Sequence, residues 1–312
     1  MGSDHIDAPL TSGVVIQRSL AWMVASCLCF SLVMVSIRLF LTDLPTEQSV
    51  FLRYMIGSIL ILPFLGLSGA KFWKWKHKGQ MALRAALHGA GVYTWFFALL
   101  LVPLAEINAL LNLGPIYATL GAVIFFGERL KFRRVIAIII SFGGALVIIK
   151  PGFSTINIGI IAILATAPLF SISDLIAKKL KQNHNDNQII FSLSSGISAI
   201  LLVPAIVVWQ PMSPTHILGV ACISGFATMG HVTLMRAFRG PMWAAQSGKY
   251  VQLLFVVIFG VLLFDEVPTM STIVGALIVL ASVTYIAIRE RQLARHEDLA
   301  EAQSSSKKVI ES

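Results

Sequence analysis

Charged residues are scarce in this chain. Asp, Glu, Lys and Arg make up 12% of 312 residues, whereas 56% are hydrophobic; a soluble globular domain carries about 25% charged residues. The three cysteines fall in apolar runs, where we expect them to pack rather than form disulfides. No GxxxxGK(S/T) loop, HExxH pair, GxSxG elbow or Cys/His cluster with metal-ligand spacing occurs. We therefore predict no catalytic residues, no metal site, no cofactor and no direct ATP coupling.

The sequence instead contains long runs of apolar residues. A bilayer core of about 30 Å requires about 20 apolar residues per helix. Together the runs leave no room for a soluble catalytic domain. The sequence predicts an all-α integral membrane protein of ten transmembrane helices, at 19–40, 47–66, 80–102, 104–126, 132–149, 156–177, 187–208, 216–236, 243–264 and 269–288.

The net charge of +9 is distributed in a pattern that predicts topology. Lys and Arg fall in every second loop and after the last run, while the loops TDLPTEQ, VPLAE, QPMSPTH and DEVPTM contain none. Basic loops stay cytoplasmic, so we predict a multi-pass protein of the inner (plasma) membrane with both termini cytoplasmic. The lipid bilayer, rather than nucleic acid, is the expected partner of this charge. The basic positions are 71, 74, 76, 78, 84, 129, 131, 133, 134, 178, 179, 181, 236, 239, 289, 291 and 295.

The apolar pattern occurs twice. A shift of 138 positions places Glu128 on Glu266 and Pro103 on Pro241. Each copy contains five runs, and this odd number inserts the second copy upside down. Inverted repeats are typical of secondary transporters with a site near the midplane. The predicted segments are a cytoplasmic N-terminal segment (1–18), the two repeats (19–150 and 151–290) and a polar cytoplasmic tail (291–312).

The stretch FGERLKFRRVIAIIISFGGALVII resembles the signature of the drug/metabolite transporter superfamily, in its ten-helix EamA-type branch. The second copy, FDEVPTMSTIVGALIVL, is similar and keeps Glu266 and Gly275, with Asp265 and Val267 replacing the Gly and Arg. FLRYMIGSILILP resembles the Arg-aromatic pattern of the second helix. The stretch SISDLIAKKL and the general layout are closest to carriers of S-adenosylmethionine and similar metabolites.

The resemblance implies a secondary transporter that moves a small zwitterionic or aromatic metabolite, such as S-adenosylmethionine, by alternating access. The alternatives are an exporter of amino acids or related metabolites, and a riboflavin-type vitamin carrier. A distant alternative of another class is an integral membrane enzyme that modifies lipids. Coupling to protons or to the membrane potential is expected, and a monomer and a homodimer both remain open.

Polar residues at membrane depth predict the binding site, because ionisable groups there are costly and usually face a cavity. Asn108 and Asn112 share one face of the fourth helix, and Gln246, Lys249 and Tyr250 share one face of the ninth. The repeat shift superposes Asn108 on Gln246 and Asn112 on Tyr250. The alternative role for the amides is an interhelical hydrogen bond, worth about 1 kcal/mol.

Several other residues are candidates for the site. Arg53, about 10 Å into the second helix at 1.5 Å per residue, could meet an anionic group, pair with Glu47 or extend outward. Trp95 and Tyr93 could form a stacking platform or pack within the bundle. Glu106 is expected at an outer vestibule. A zwitterion with a flat ring would place its carboxylate on Lys249.

Three further charges have expected partners. The ammonium group of such a zwitterion would meet Glu106 or Asp174. Asp174 and Lys178 are also spaced for an ion pair within one helix. Arg38, at the outer end of the first helix, is expected to extend its charge toward the membrane surface.

Overall fold

The computed structural model describes residues 13–67, 76–114, 116–117, 120, 132–149, 157–237, 248–282, 284–285, 288 and 292. These residues contain ten helices and no strand, which confirms the predicted all-α class. The helices are α1 (Gly13–Phe40), α2 (Thr46–Leu67), α3 (Lys78–Leu99), α4 (Leu104–Leu111), α5 (Phe132–Ile149), α6 (Ile158–Leu180), α7 (Asp186–Val207), α8 (Pro214–Ala237), α9 (Val251–Phe264) and α10 (Met270–Ser282).

The helices have the length and composition of membrane spans. Within the described ranges, α1, α2, α6, α7 and α8 each contain 20 to 24 residues apolar enough to cross a bilayer. Three shorter apolar stretches lie in α5, α9 and α10. The chain is therefore an integral membrane protein.

Many large apolar side chains are exposed on the outside of the bundle, and several polar side chains are buried within it. Leu146, Val203 and Leu262 are 55%, 67% and 73% exposed, whereas Arg53 and Gln48 are 7% and 0% exposed. A water-soluble protein shows the reverse distribution. The exposed belt fits lipid, so the interior of the bundle is where the polar groups meet.

The two repeats pack through symmetry-related helix pairs. The most extensive contacts join α1 to α8, α3 to α6 and α2 to α7, and α4 also packs on α9. The repeat relates α1 to α6, α2 to α7, α3 to α8 and α4 to α9. The α1–α8 and α3–α6 pairs are therefore equivalent, and the α2–α7 and α4–α9 pairs each join two equivalent helices. This arrangement agrees with the predicted inverted repeat.

Helix caps position the second repeat against the first. Asn157 begins α6 by accepting a hydrogen bond from the Gly159 N–H at 2.8 Å, and its amide donates to the Leu101 carbonyl at 2.8 Å. At the other end of the bundle, Asn185 and Gln188 form a reciprocal capping box at the start of α7. The caps set the entry points of α6 and α7.

The predicted terminal segments lie largely outside the described residues, as do Gln246 and Glu128. The boundaries of the two repeats and the two termini therefore stay predictions.

The crossing of α5 and α10 is close enough to exclude a side chain at Gly275. A Cβ atom there would lie 2.5 Å from Ile148 Cγ1 and 2.6 Å from the Gly144 carbonyl oxygen. We expect Gly275→Ala to lower the free energy of unfolding by about 1–3 kcal/mol, since a packed contact must shift. Thermal unfolding of the detergent-purified protein measures this. Gly143→Ala is the matched control, because no atom lies within 4 Å of its Cβ position. Equal destabilisation by both substitutions would contradict the close packing of α5 on α10 at Gly275.

Candidate functional site

Two symmetry-related helices are interrupted within the bundle. Helix α4 ends at Leu111 and is followed by a turn at 112–113, and a turn at 249–250 precedes α9. The repeat shift superposes the two turns to within one residue. Discontinuous helices of this kind form substrate sites in membrane carriers, because they free backbone groups in a protein-lined cavity.

Each interruption is capped by the first helix of the opposite repeat. The Ser171 hydroxyl of α6 donates to the Gly114 carbonyl at 2.8 Å. The Cys27 thiol of α1 lies 3.7 Å from the carbonyl oxygens of both Gly248 and Lys249. A movement of one repeat against the other would therefore disturb the interrupted segments directly.

The predicted polar residues of α4 and α9 lie at these interruptions. The Asn112 amide donates to the Asn108 carbonyl at 2.9 Å and lies 3.3 Å from Asn108 Oδ1, so this pair is local rather than interhelical. Tyr250 hydrogen-bonds to Thr284, and the Lys249 side chain is exposed. Gln246 is outside the described residues, so its role stays a prediction.

Arg53 points into the bundle. It is 7% exposed, its guanidinium lies 3.7 Å from the centre of the Tyr54 ring, and Nη2 lies 3.4 Å from His231 Nε2. A guanidinium has only donors, so the neutral imidazole accepts this contact. Glu47 instead accepts a 2.9 Å hydrogen bond from the Tyr93 hydroxyl. Of the roles considered for Arg53, the structure contradicts outward extension and pairing with Glu47.

Arg84 was expected in a basic loop, which is wrong. It lies about 9 Å inside α3 at 1.5 Å per residue and is 8% exposed. Its Nη1 donates to the Ile189 carbonyl at 3.1 Å, and its buried Nε has no hydrogen-bond partner. The loop assignment failed because the apolar run was predicted to start at residue 80, only four residues upstream, which left Arg84 near its margin.

Asp174 lies within electrostatic range of both Lys249 and Arg84. The Asp174 and Lys249 side chains are exposed, yet the charges of Lys249 and Arg84 both act on the Asp174 carboxylate. The Lys178 side chain, the other expected partner of Asp174, is outside the described residues.

These groups form one continuous cluster, which we call the charged chamber. The contacts of His88 join α3 to α6: its Nδ1 lies 3.1 Å from the Ser173 hydroxyl, and its ring stacks on Phe170 at 4.7 Å. With neutral histidines the chamber has an excess of two positive charges. Its members are Arg53, Tyr54, Arg84, His88, Asp174, His231 and Lys249.

The remaining candidates lie around the chamber rather than in it. Trp95 is half-buried beside Phe96, with ring centres 5.7 Å apart, and its buried Nε1 lacks a partner. Glu106 accepts a 3.2 Å hydrogen bond from Thr272 and so joins α4 to α10. Whether Trp95, Tyr93 or Glu106 contacts substrate stays a prediction.

One end of the bundle is held closed by contacts between the repeats. We call it the Lys/Arg-poor face, formed by the loops 41–45, 100–103, 208–213 and 265–269. The Gln48 amide exchanges two 2.9 Å hydrogen bonds with the backbone of Gln210. His216 lies 2.9 Å from Asp43, and this hydrogen bond holds the pKa of the exposed Asp43 carboxyl below its ordinary value.

Arg38 and Glu266 form the most connected contact of this face, the Arg38 latch. Arg38 pairs with Glu266 Oε1 and donates to the carbonyls of Leu99 at 2.7 Å and Val102 at 2.6 Å. Glu266 Oε2 accepts from the Leu104 N–H at 2.8 Å. The expectation that Arg38 extends toward the membrane surface is wrong, because a carboxylate and two carbonyls of the bundle lie within its reach.

Interrupted helices, an internal charged chamber and a latched face in an inverted-repeat membrane bundle define a transporter. The EamA-like transporter family matches residues 17–150 and 157–288, and the chain belongs to this family. The predicted drug/metabolite transporter resemblance is thereby confirmed.

Characterised relatives differ in substrate and direction. The chain is 23% identical over 277 residues to an S-adenosylmethionine uptake transporter of Rickettsia prowazekii (strain Madrid E), covering 88% of this chain and 94% of the relative. It is 27% identical over 281 residues to a riboflavin transporter of Brucella anthropi, covering 85% and 96%. A pseudopaline exporter, CntI, of Pseudomonas aeruginosa is 23% identical over 245 residues, covering 77% and 85%.

A solved crystal structure has the same fold. It superposes with a TM-score of 0.58 at 17% identity, over 85% of this chain and 97% of the other. The relatives and the family together establish a membrane transporter of small metabolites.

Sequence reasoning did not place Arg84, His88 and His231 in the site. A usable signal was present, since Arg84 and His88 are four residues apart and share a face of α3. Asp174 was considered, but its partners come from α3 and the start of α9, which no local spacing reveals.

The Arg38 latch can be tested by thiol labelling. In a chain whose three cysteines are replaced by Ala, Cys is introduced at Thr272, which is 3% exposed and lies beside Glu106. We expect Glu266→Gln to raise the maleimide labelling rate of this thiol severalfold in detergent, because loss of the ion pair frees α1 from the 265–269 loop. Asp265→Asn is the control, since Asn tolerates its left-handed φ of 55°. An unchanged rate in Glu266→Gln would show that the latch does not hold this face closed.

Proposed function

We propose that this protein is a secondary transporter of the inner membrane that moves a small zwitterionic or aromatic metabolite by alternating access. The charged chamber between the two repeats is the observation that carries this proposal. Charges placed within a membrane bundle are costly and usually mark a substrate or ion pathway. We also propose that both termini are cytoplasmic, so that the Lys/Arg-poor face is extracytoplasmic.

The chamber offers complementary groups for a zwitterion. The exposed Lys249 ammonium would receive a substrate carboxylate, and Asp174 would receive an ammonium group. The two lie within electrostatic range of each other, so one small molecule could reach both. Trp95, whose indole N–H has no partner, would form a wall for a flat ring.

The Arg38 latch suggests how access alternates. In the described conformation it joins α1 and the 100–103 turn to the 265–269 loop, which closes the extracytoplasmic side. The exposed Asp174 and Lys249 would then be reached from the cytoplasmic side. Rocking of one repeat against the other would break the latch and expose the same chamber outward. A proton or the membrane potential would drive the cycle.

The relatives support import and export alike. Uptake of S-adenosylmethionine is the first candidate, because its carrier covers 88% of this chain. Export is the second candidate, because one relative is a pseudopaline exporter, and a riboflavin-type carrier is the third. Membership of a transporter family counts against the lipid-modifying enzyme.

Uptake by cells expressing the intact chain tests the proposal. We expect saturable uptake of labelled S-adenosylmethionine, with riboflavin, aromatic amino acids and nucleosides as competitors. Lys249→Ala should reduce transport about tenfold or more, because a charge-assisted contact with the substrate is lost. Lys181→Ala is the matched control, since Lys181 pairs with Asp186 at 3.2 Å outside the chamber.

Each outcome has a consequence. Uptake lost only in Lys249→Ala would support an importer with Lys249 in its pathway. Absent uptake of every compound by an inserted protein would reject import and move the test to efflux from preloaded vesicles. No movement in either direction would reject the transporter proposal.

A further inference from the structure

The charged chamber holds two buried guanidiniums with too little negative charge around them. Arg53 is 7% exposed and Arg84 is 8% exposed. Apart from the Tyr54 phenol, no acidic group of the described residues acts on Arg53, and Asp174 is the one carboxylate that acts on Arg84. Asp174 is shared with Lys249. The described chamber is therefore electrostatically incomplete.

A buried positive charge that is only partly balanced by negative charge is energetically unfavourable. A buried cation loses its hydration, and only a paired and fully hydrogen-bonded arrangement restores that loss. Arg53 has a π face and a neutral imidazole as neighbours, neither of which carries an opposite formal charge. The arrangement therefore calls for an anion that the described residues do not supply.

The hydrogen bonds of Arg84 point to the same absent group. Its Nη1 reaches the Ile189 carbonyl, but its buried Nε donates to nothing. Buried polar groups are nearly always hydrogen-bonded, and an unsatisfied one indicates an unaccounted partner. A planar guanidinium binds a carboxylate or phosphate through two parallel donors. Arg84 thus has a donor available for such an anion.

Arg53 and Arg84 belong to one electrostatic unit. Both charges act on the Tyr54 hydroxyl and on the imidazoles of His88 and His231. An anion that meets both guanidiniums would also lie near the Tyr54 hydroxyl and the two imidazoles. Asp174 would remain to balance Lys249.

We propose that Arg53 and Arg84 form an anion subsite for a carboxylate or phosphate group of the transported metabolite, and that the chamber binds a metabolite without net positive charge more tightly than a net cation of the same shape. The inference rests on the proposed function and narrows its substrate class. S-adenosylmethionine has a sulfonium, an ammonium and one carboxylate, so it is a net cation. S-adenosylhomocysteine, which lacks the sulfonium charge, suits the chamber better.

Ligand binding to the purified full chain in neutral detergent, with no lipid added, tests the subsite without requiring transport. Two probe pairs differ only in charge: riboflavin and riboflavin 5′-phosphate, and S-adenosylmethionine and S-adenosylhomocysteine. A ligand that binds the folded state raises its unfolding temperature. In each pair we expect the more negative member to bind about tenfold more tightly, a factor typical of one charge-assisted contact.

Substitutions test whether the two arginines cause the difference in affinity between the probes of each pair. Arg84→Gln should abolish the preference for the more negative probe of each pair, and Arg84→Lys should restore part of it. If Arg84→Gln does not fold, Arg53→Gln is used in its place. Arg236→Gln is the matched control, because Arg236 stacks on Trp22 at 4.6 Å and is exposed near the end of α8. It should keep the wild-type preference.

Three results would overturn the subsite. They are equal binding within both pairs, tighter binding of S-adenosylmethionine than of S-adenosylhomocysteine, and a preference unchanged in both Gln variants. If no organic probe binds, inorganic phosphate and acetate are the minimal probes, and no arginine-dependent stabilisation by either would also overturn it.

Uptake of the same probes into proteoliposomes separates the subsite from the proposed function. Arginine-dependent binding without any transport would leave the subsite standing and count against the carrier. Transport of a net cation that is indifferent to Arg53 and Arg84 would leave the carrier standing and reject the subsite.

Discussion

Two guanidiniums buried within a lipid-facing bundle are the constraint on which the arrangement of the polar interior depends. The exposed belt of Leu, Ile and Val faces lipid, whereas Arg53 and Arg84 are buried inside the bundle and depend on their neighbours there for compensation. Their neighbours follow from this: a tyrosine ring below Arg53, an imidazole that accepts from it, and a backbone carbonyl for Arg84. Each contact reduces the desolvation cost, and none supplies an opposite formal charge. The remaining imbalance is the reason for proposing that the chamber is a ligand site rather than a finished part of the core.

The inverted repeat explains where the chamber lies. Helices α4 and α9 occupy equivalent positions in the two repeats, and both are interrupted at the same level. The interruptions are capped from the opposite repeat, by Ser171 in one case and Cys27 in the other. The two interruptions are thus related by the repeat, but their side chains differ. Asn108 and Asn112 lie at one interruption, and Lys249 and Tyr250 lie at the other. Symmetry provides two related conformations, and the asymmetric side chains provide a directional binding site.

The relatives show that the shared fold is compatible with different substrates. An S-adenosylmethionine importer, a riboflavin transporter and a pseudopaline exporter all match most of this chain at 23–27% identity. Specificity must therefore reside in the few side chains of the chamber, and the balance between its cations and Asp174 is the feature most able to separate substrates by charge. The Arg38 latch acts elsewhere, on the relative stability of the two access states.

The sequence by itself determined the membrane class, the ten helices, the repeat and the family, because apolar length, alternation of basic loops and internal similarity are local or periodic properties. It also indicated that Arg53 and Lys249 lie at membrane depth. Tertiary structure decided which charges meet. Arg38 and Glu266 are separated by 228 positions, and Asp174 finds its cations on α3 and at the start of α9. Such pairs depend on which helices become neighbours and on the direction of each side chain, and helical spacing along one segment carries no information about either.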